Sequence, residues 1–479
     1  MKFLRPILAL GVAGLLSAAA YRPAAPPRYD LVITHVSVVD VVSGVVRPDQ
    51  LVAIAQGKIV RVGPAGSASY AAQQTLNGTG RYLLPGLWDM HVHFRGGDTL
   101  VAANKKSLAL YLAHGITTVR DAGGDMTASI FQWRKEEAAG TLAGPRIFTS
   151  GPKIDGPGAT WPGSLEVETP AQISKALDSL QRLKVDYVKI YDSKISGEAY
   201  LGTIAQAEQR GMKTTGHMPY SVTLGEAINR GLDATEHLYY VFKACSGKED
   251  SLTALVRASL ATPKPLGLFA MLPAVYDTYS PAAAARIFQQ MAAHHTAAVP
   301  TLAIGKTLAE LAENDHAHDT LRAYIDPRIQ RTYLRRLASA RQQSAAGRAF
   351  TNKLEAKFMT LVPQMQAAGV TILAGSDSGP FNSFTYPGAS LQDELVLLVQ
   401  AGLTPAQALR AATLNGAQFM GVAGRTGTVA VGKDADLLLL TANPLADIAN
   451  VKKISAVVLR GKTYPAPALA ALLQTIKNP

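Results

Sequence analysis

Apolar residues recur along this chain in two rhythms. Near its ends they alternate with polar ones: RYDLVITHVSVVD (28–40) and LVAIAQGKIVRVG (51–63) early, GTVAVGKDADLLLLTANP (427–444) and ISAVVLRGKTY (454–464) late. A period of two marks half-buried strands, because side chains at i and i+2 share a face. Turn residues between the runs predict antiparallel pairing. Strands far apart in sequence can share a sheet, so residues 28–80 and 424–466 are expected to build one small β-sandwich domain together.

Between these ends the rhythm changes. Short β-rich runs fall at 83–94, 116–124, 145–151, 185–192, 213–219, 233–239, 297–304 and 371–379. Most are separated by stretches of helical period, such as PAQISKALDSLQRLK (170–184) and AYLGTIAQAEQRG (199–211). Eight strands alternating with helices predict an α/β fold, a (β/α)8 TIM barrel over 81–423. A doubly wound sheet is the competitor, but no glycine-rich phosphate fingerprint follows the first strand. The stretches 241–280 and 306–368 read as helical insertions.

Composition adds a compartment and removes two partner classes. The chain has 479 residues, 48% hydrophobic and 17% charged, enough apolar material for a large core. Residues 1–20, MKFLRPILALGVAGLLSAAA, have the layout of a signal peptide: Lys2 and Arg5, an apolar stretch at 7–16, then Ala18-Ala19-Ala20. That stretch is too short to span a bilayer comfortably. An exported protein, periplasmic or secreted, with no stable membrane insertion after leader removal is therefore expected. Cys245, the single cysteine, cannot form an intramolecular disulfide. The net charge of +12 is scattered in pairs such as Lys105-Lys106 and Lys452-Lys453, without the clustered patch that nucleic acid requires.

In such barrels chemistry sits at the C-terminal ends of the strands. His91 and His93, in GLWDMHVHF (86–94), close the first run and share one strand face. Lys189 ends the fourth run in VDYVKIYD, His217 the fifth in KTTGHMPY, His237 the sixth in DATEHLYY and Asp377 the eighth in TILAGSDSG. Imidazole and carboxylate suit zinc and similar divalent ions. Asp377 has a competing role as a cap for the Ser-Gly turn behind it. His35, His114, His294, His295, His316 and His318 fall outside this pattern.

These segments resemble the amidohydrolase superfamily of metal-dependent hydrolases. The resemblance rests on LLPGLWDMHVHF, GITTVRDAGG, YVKIYD, GHMP, EHL, GSDSG, AATLNGAQFMG and GKDADLLLL, and on the split β-domain. It implies two divalent metal ions, with zinc the expected element. His91, His93 and Asp377 match ligands of one ion, and His217 and His237 those of the other. Lys189 matches the lysine that is carboxylated to bridge them. An anionic carbamate can bridge cations, whereas an ammonium repels them. Asp377 would also handle the proton of a metal-bridging hydroxide.

The bridging lysine points to the two-metal branch similar to Xaa-Pro dipeptidases, hence to hydrolysis of a peptide-like amide bond in a dipeptide or N-acyl amino acid. Alternatives are a lactone, carbamate or phosphotriester hydrolase, a single-metal cyclic amidase of the imidazolonepropionase kind, or a barrel that binds without turnover. A small-molecule substrate and a homo-oligomer are expected. Candidate substrate contacts are Arg95, Tyr191, Tyr220, Tyr239 and Trp161. Trp161 lies in the glycine- and proline-rich loop 151–163, a candidate rim.

Overall fold

The computed structural model describes Met1, residues 28–66 and residues 70–477. Apart from Met1, the leader expected over 1–20 lies outside the described residues. Among the described residues no helix is long and apolar enough to cross a membrane.

Both chain ends contribute to one eight-stranded sheet. Its order runs Lys462–Pro465, Ile454–Leu459, Leu437–Leu440, Tyr82–Pro85, Arg28–Asp40, Val45–Ala55, Lys58–Pro64, with Ala71–Asn77 paired to Arg28–Asp40. The alternation puts Leu31, Ile33, Val52 and Ile54 from one limb into the same core as Leu437, Leu439 and Val458 from the other. Two tight turns close its hairpins. Gln56 and Gly57 have φ of 51° and 71°, and Arg460 and Gly461 have 51° and 79°. Two consecutive positive φ values match the twist of antiparallel strands, and glycine takes the second at no steric cost. Residues 427–435, read as alternating strand, form none. Their backbone is instead tied to the 56–59 hairpin, where Ile59 N–H donates to Lys433 O (2.8 Å) and Ala435 N–H to Gly57 O (2.8 Å).

The middle of the chain forms a (β/α)8 TIM barrel. Leu87–Val92, Ile116–Asp121 and Arg146–Thr149 make one parallel sheet. Leu165–Glu166, Ile154–Asp155, Val188–Ile190, Thr214–Gly216, Ala234–Glu236 and Ala297–Val299 make the other. No continuous ladder joins the two sheets. The eighth run reaches both through isolated bridges, Ile372 to Ala298 and Ser378 to Val92. On the other side Asp186 N–H donates to Thr149 O at 2.9 Å. The run 371–379 is not a regular strand because Asp377 turns out of the extended region, with φ 55°.

Flanking helices follow their sequence signals. In Pro170–Leu183, Thr169 and Gln172 form a capping box and Pro170 opens the first turn. Its residues Ile173, Ala176, Leu177 and Leu180 face the core at i, i+3, i+4, i+7. The first insertion carries Glu249–Ser259 and Leu268–Asp277, the second Pro327–Arg341 and Ala345–Ala367. Tyr324, Ile325 and Tyr333 of the second insertion line one recess with His93 and Gly379, so it covers the histidine-bearing end of the first strand.

Candidate metal centre and active site

Four imidazoles meet at the carboxyl end of the barrel, and each has its Nδ1 engaged. His91 Nδ1 donates to Glu236 Oε2 (2.5 Å) and His93 Nδ1 to the Gly123 carbonyl (3.3 Å). His217 Nδ1 meets Asp192 Oδ1 (3.3 Å), and His237 Nδ1 meets Thr301 Oγ1 (2.7 Å). Carbonyl and carboxylate oxygens only accept, so in His91, His93 and His217 the proton belongs on Nδ1 and the lone pair on Nε2, whereas the Thr301 hydroxyl can serve His237 in either tautomer. This is how metal-binding histidines are oriented by the groups behind them.

The four Nε2 atoms converge. Asp377 Oδ1 lies 3.4 Å from His91 Nε2 and 3.2 Å from His93 Nε2. His237 Nε2 is 4.0 Å from Asp377 Oδ2 and 3.1 Å from His217 Nε2. Among the described residues, His91, His93 and Asp377 are the group whose ligand atoms all lie within 4.8 Å of one another. His217 and His237 stand beside it as a second pair. Lys189 is fully buried, and its Nζ and His91 Nε2 have no hydrogen-bond partner. Unpaired buried nitrogens are costly. Nε2 atoms with free lone pairs beside a carboxylate are a donor set that divalent cations fit.

Electrostatics favour that reading at three of the four histidines. Burial holds His93, His217 and His237 well below the ordinary imidazole range. Burial pulls His91 down as well, but the Glu236 carboxylate beside it prevails and raises it. Burial would raise Asp377, yet the adjacent histidines hold it well below the carboxylate range. Burial pushes Lys189 down to about 8, favouring the neutral amine. The Cys245 thiol is pushed up to about 12 by burial, an inert group.

The supporting residues are largely ones that sequence reasoning passed over. Glu236 accepts from His91, from Arg120 Nη2 (2.7 Å) and from the Thr215 hydroxyl. Asp192 accepts from Tyr240 Oη (2.8 Å) as well as His217. Asn382 bridges Arg95 and Asp377: its Oδ1 accepts from Arg95 Nη2 (2.8 Å) and its Nδ2 donates to Asp377 Oδ1 (2.7 Å). Glu236 and Asp192 sit inside EHL and YVKIYD, so an acid beside each ligand was an available signal. Thr301, Asn382 and the Gly123 carbonyl offered none.

The candidate substrate contacts divide. Arg95, Trp161 and Tyr191 come together: the guanidinium lies 4.3 Å from the Trp161 ring centre, and Tyr191 packs 4.3 Å from His217. Tyr220 is buried, with its hydroxyl on Tyr239 O (3.2 Å) and its ring against Tyr240. Tyr239 turns its ring to Phe358, 5.2 Å away, and stands 6.5 Å from His237.

Comparisons with known proteins identify the family and the fold. The Amidohydrolase family profile matches residues 82–464. Ochratoxinase from Aspergillus niger is 35% identical over 117 residues, a stretch covering 23% of this chain and 23% of that enzyme's length. The match to this curated relative thus spans about a quarter of each protein. Among solved structures, bottromycin amidohydrolase superposes with TM-score 0.72 at 20% identity, covering 93% of this chain and 90% of its own. A Xaa-Pro dipeptidase with bound methionine in its active site superposes with TM-score 0.67 at 20% identity, covering 91% and 99%. At these identities the structures speak for the fold. The match over 82–464 takes in the histidine-bearing strand ends and half of the composite sheet, and this chain belongs to the amidohydrolase family.

Proposed function

We propose that this chain is a metal-dependent hydrolase cleaving a peptide-like amide C–N bond in a small substrate, a dipeptide or an N-acyl amino acid. The observation that carries this is the cluster of four histidines, each held through Nδ1 with Nε2 turned toward Asp377 or its neighbours. His91, His93 and Asp377 would hold one divalent ion and His217 and His237 a second, with zinc the ion of choice and Lys189 between them. The ions would polarise the scissile carbonyl and acidify the attacking water.

The chain's own groups complete the chemistry. Buried Lys189, as a neutral amine, adds to CO₂: an N–C bond forms, one proton leaves, and the resulting carbamate is a bridging anion. Asp377 takes the proton of the attacking water and hands it to the departing amine. Asn382 Nδ2 fixes Asp377 Oδ1 for that transfer. Structural neighbours named for dipeptide and amide cleavage support the reading. The same proposal has residues 1–20 act as a leader that directs the protein out of the cytoplasm.

The test is elemental analysis of protein purified in bicarbonate, wild type beside Lys189→Ala, followed by a substrate panel. About two metals per chain, falling sharply in the variant, with turnover of dipeptides or N-acyl amino acids, is the expected result. One metal in both proteins removes Lys189 from the centre and points to single-metal cyclic amidases. Turnover of lactones or phosphotriesters with none of any amide overturns the substrate class.

A further inference from the structure

Beside the imidazoles lie two buried basic side chains, Arg95, tied to Asp377 through Asn382, and Lys153, which makes no hydrogen bond to the centre. Lys153 is 2% exposed and Arg95 5%. Lys153 Nζ and Arg95 Nε have no hydrogen-bond partner. The carboxylates that reach them act through space, Asp121 and Asp155 on Lys153, Asp377 on Arg95. Aromatic faces pack around both charges: Lys153 Nζ is 4.8 Å from the Trp161 ring centre and 5.0 Å from that of Tyr191. The Arg95 guanidinium lies 4.3 Å from the Trp161 ring centre and 5.5 Å from that of Phe381, two rings that stack on each other. Such contacts orient a basic group without hydrogen-bonding it, and burial pushes Lys153 down to about 7, so an anion docking beside it is what holds its proton.

Both cations line one open recess with Trp161, Phe381, Gly97 and Asp125. Asp125, the acid in that wall, is occupied, since its Oδ1 accepts from Gly96 N–H at 2.9 Å. The recess adjoins the centre by three routes. Arg95 reaches Asp377 through Asn382. Tyr191 packs on His217. Gly123 accepts from His93 through its carbonyl, and a Cβ there would lie 2.5 Å from Lys153 Cγ, so glycine is what lets the lysine pass.

We propose that Lys153 and Arg95 form a subsite for the substrate's free carboxylate, making this enzyme selective for amides that carry an acid next to the scissile bond. Trp161 and Phe381 give the subsite its apolar walls. This rests on the proposed hydrolase reading and names the substrate feature it selects. A carboxylate supplies the anion that holds the Lys153 proton, and the dry surroundings strengthen the pairing.

Calorimetric titration of the metal-loaded protein with hydrocinnamate and with hydrocinnamyl alcohol tests it without turnover. Wild type is expected to prefer the acid by about 10- to 100-fold, the range of a hydrogen bond to a charged group. Lys153→Met should lose that preference while still binding the alcohol, and Lys153→Arg should keep it. Lys153→Met removes a buried amine that has no hydrogen-bond partner, so it should unfold at or above the wild-type temperature and remain testable. Equal binding of acid and alcohol by wild type, or an undiminished preference in Lys153→Met, overturns the subsite even if amides are hydrolysed. A preference for the acid in a protein that turns over no amide sustains the subsite and overturns the hydrolase reading instead.

Discussion

Replacing Glu236 by glutamine tests the idea that the centre is assembled from behind. Glu236 is fully buried and is the ion-pair partner of Arg120, which is itself fully buried. Arg120 Nε donates to the Met90 carbonyl at 2.6 Å, and its Nη1 has no hydrogen-bond partner. Glutamine keeps the shape but removes the counter-charge and one of the two oxygens that serve His91 and Arg120. Breaking a buried pair from one side costs about 3–5 kcal/mol. At roughly 2.1 cal/mol/K per residue, a chain of 479 residues unfolding as a unit has an unfolding entropy near 1 kcal/mol/K. The expected fall in Tm is then about 3–5 °C, measured in chelator so that metal linkage does not contribute. His91 also loses its acceptor, which should weaken metal binding about 10- to 100-fold in a competition titration. Adding Arg120→Met should restore most of the Tm, since the stranded charge goes, but not the metal affinity. A Glu236→Gln protein with wild-type Tm and wild-type metal affinity would refute the reasoning.

Glu394 carries a pH dependence: burial raises it to about 8 from an ordinary value of 4.5, while its Oε2 accepts from Ala303 N–H at 2.7 Å. Between those two values the unfolded chain has released a proton that the native state keeps, so stability falls as pH rises through that window. Glu394→Gln cannot ionise, so its Tm gain over wild type should be largest near pH 8 and vanish near pH 4.5; an equal gain at both would remove Glu394 as the cause. Gly216→Ala should break the fifth strand, because φ is 153° and a Cβ would lie 2.0 Å from Ile190 O, a backbone atom that also accepts from His217 N–H. A loss of about 1–3 kcal/mol or more is expected in denaturant unfolding, with metal lost at the His217 side. Wild-type unfolding and metal content in that variant would show that the strands separate freely.

The parts of the fold that were legible in sequence are those where one local rule decides. RYDLVITHVSVVD, rich in valine and bounded by turn residues, is the strand Arg28–Asp40. His91 and His93 share a face because residues two apart on a strand must, and their ring centres lie 5.1 Å apart. His217, His237 and Asp377 were found by position at strand ends. What was not legible depends on partners remote in sequence. Glu236 reads as a polar interruption of a buried strand until Arg120, 116 positions earlier, comes alongside. The Gly123 carbonyl that orients His93 has no side chain to read. The alternation over 427–435 was real, but its hydrogen-bonding partner was a hairpin edge that sequence could not rank against a new strand.

The same dependence accounts for the part of the backbone strain that falls at the centre. His237, Thr301 and Asp377 have φ of 62°, 51° and 55°, left-handed values that cost a non-glycine residue about 1–3 kcal/mol each. All three serve the centre, His237 and Asp377 as candidate ligands and Thr301 as the partner of His237 Nδ1. The surrounding ladder holds them there: His237 N–H donates to Val299 O (2.9 Å) and Asp377 N–H to His91 O (2.8 Å). Each of those bonds crosses from one strand end to a neighbouring one. The ring of strands therefore fixes the ligand directions through the backbone, while Glu236, Asp192, Thr301 and Gly123 fix them through Nδ1. A ligand constrained from both sides has little freedom to lose when a cation binds. That is why substitutions behind the imidazoles should register in metal affinity as strongly as many that touch the ion.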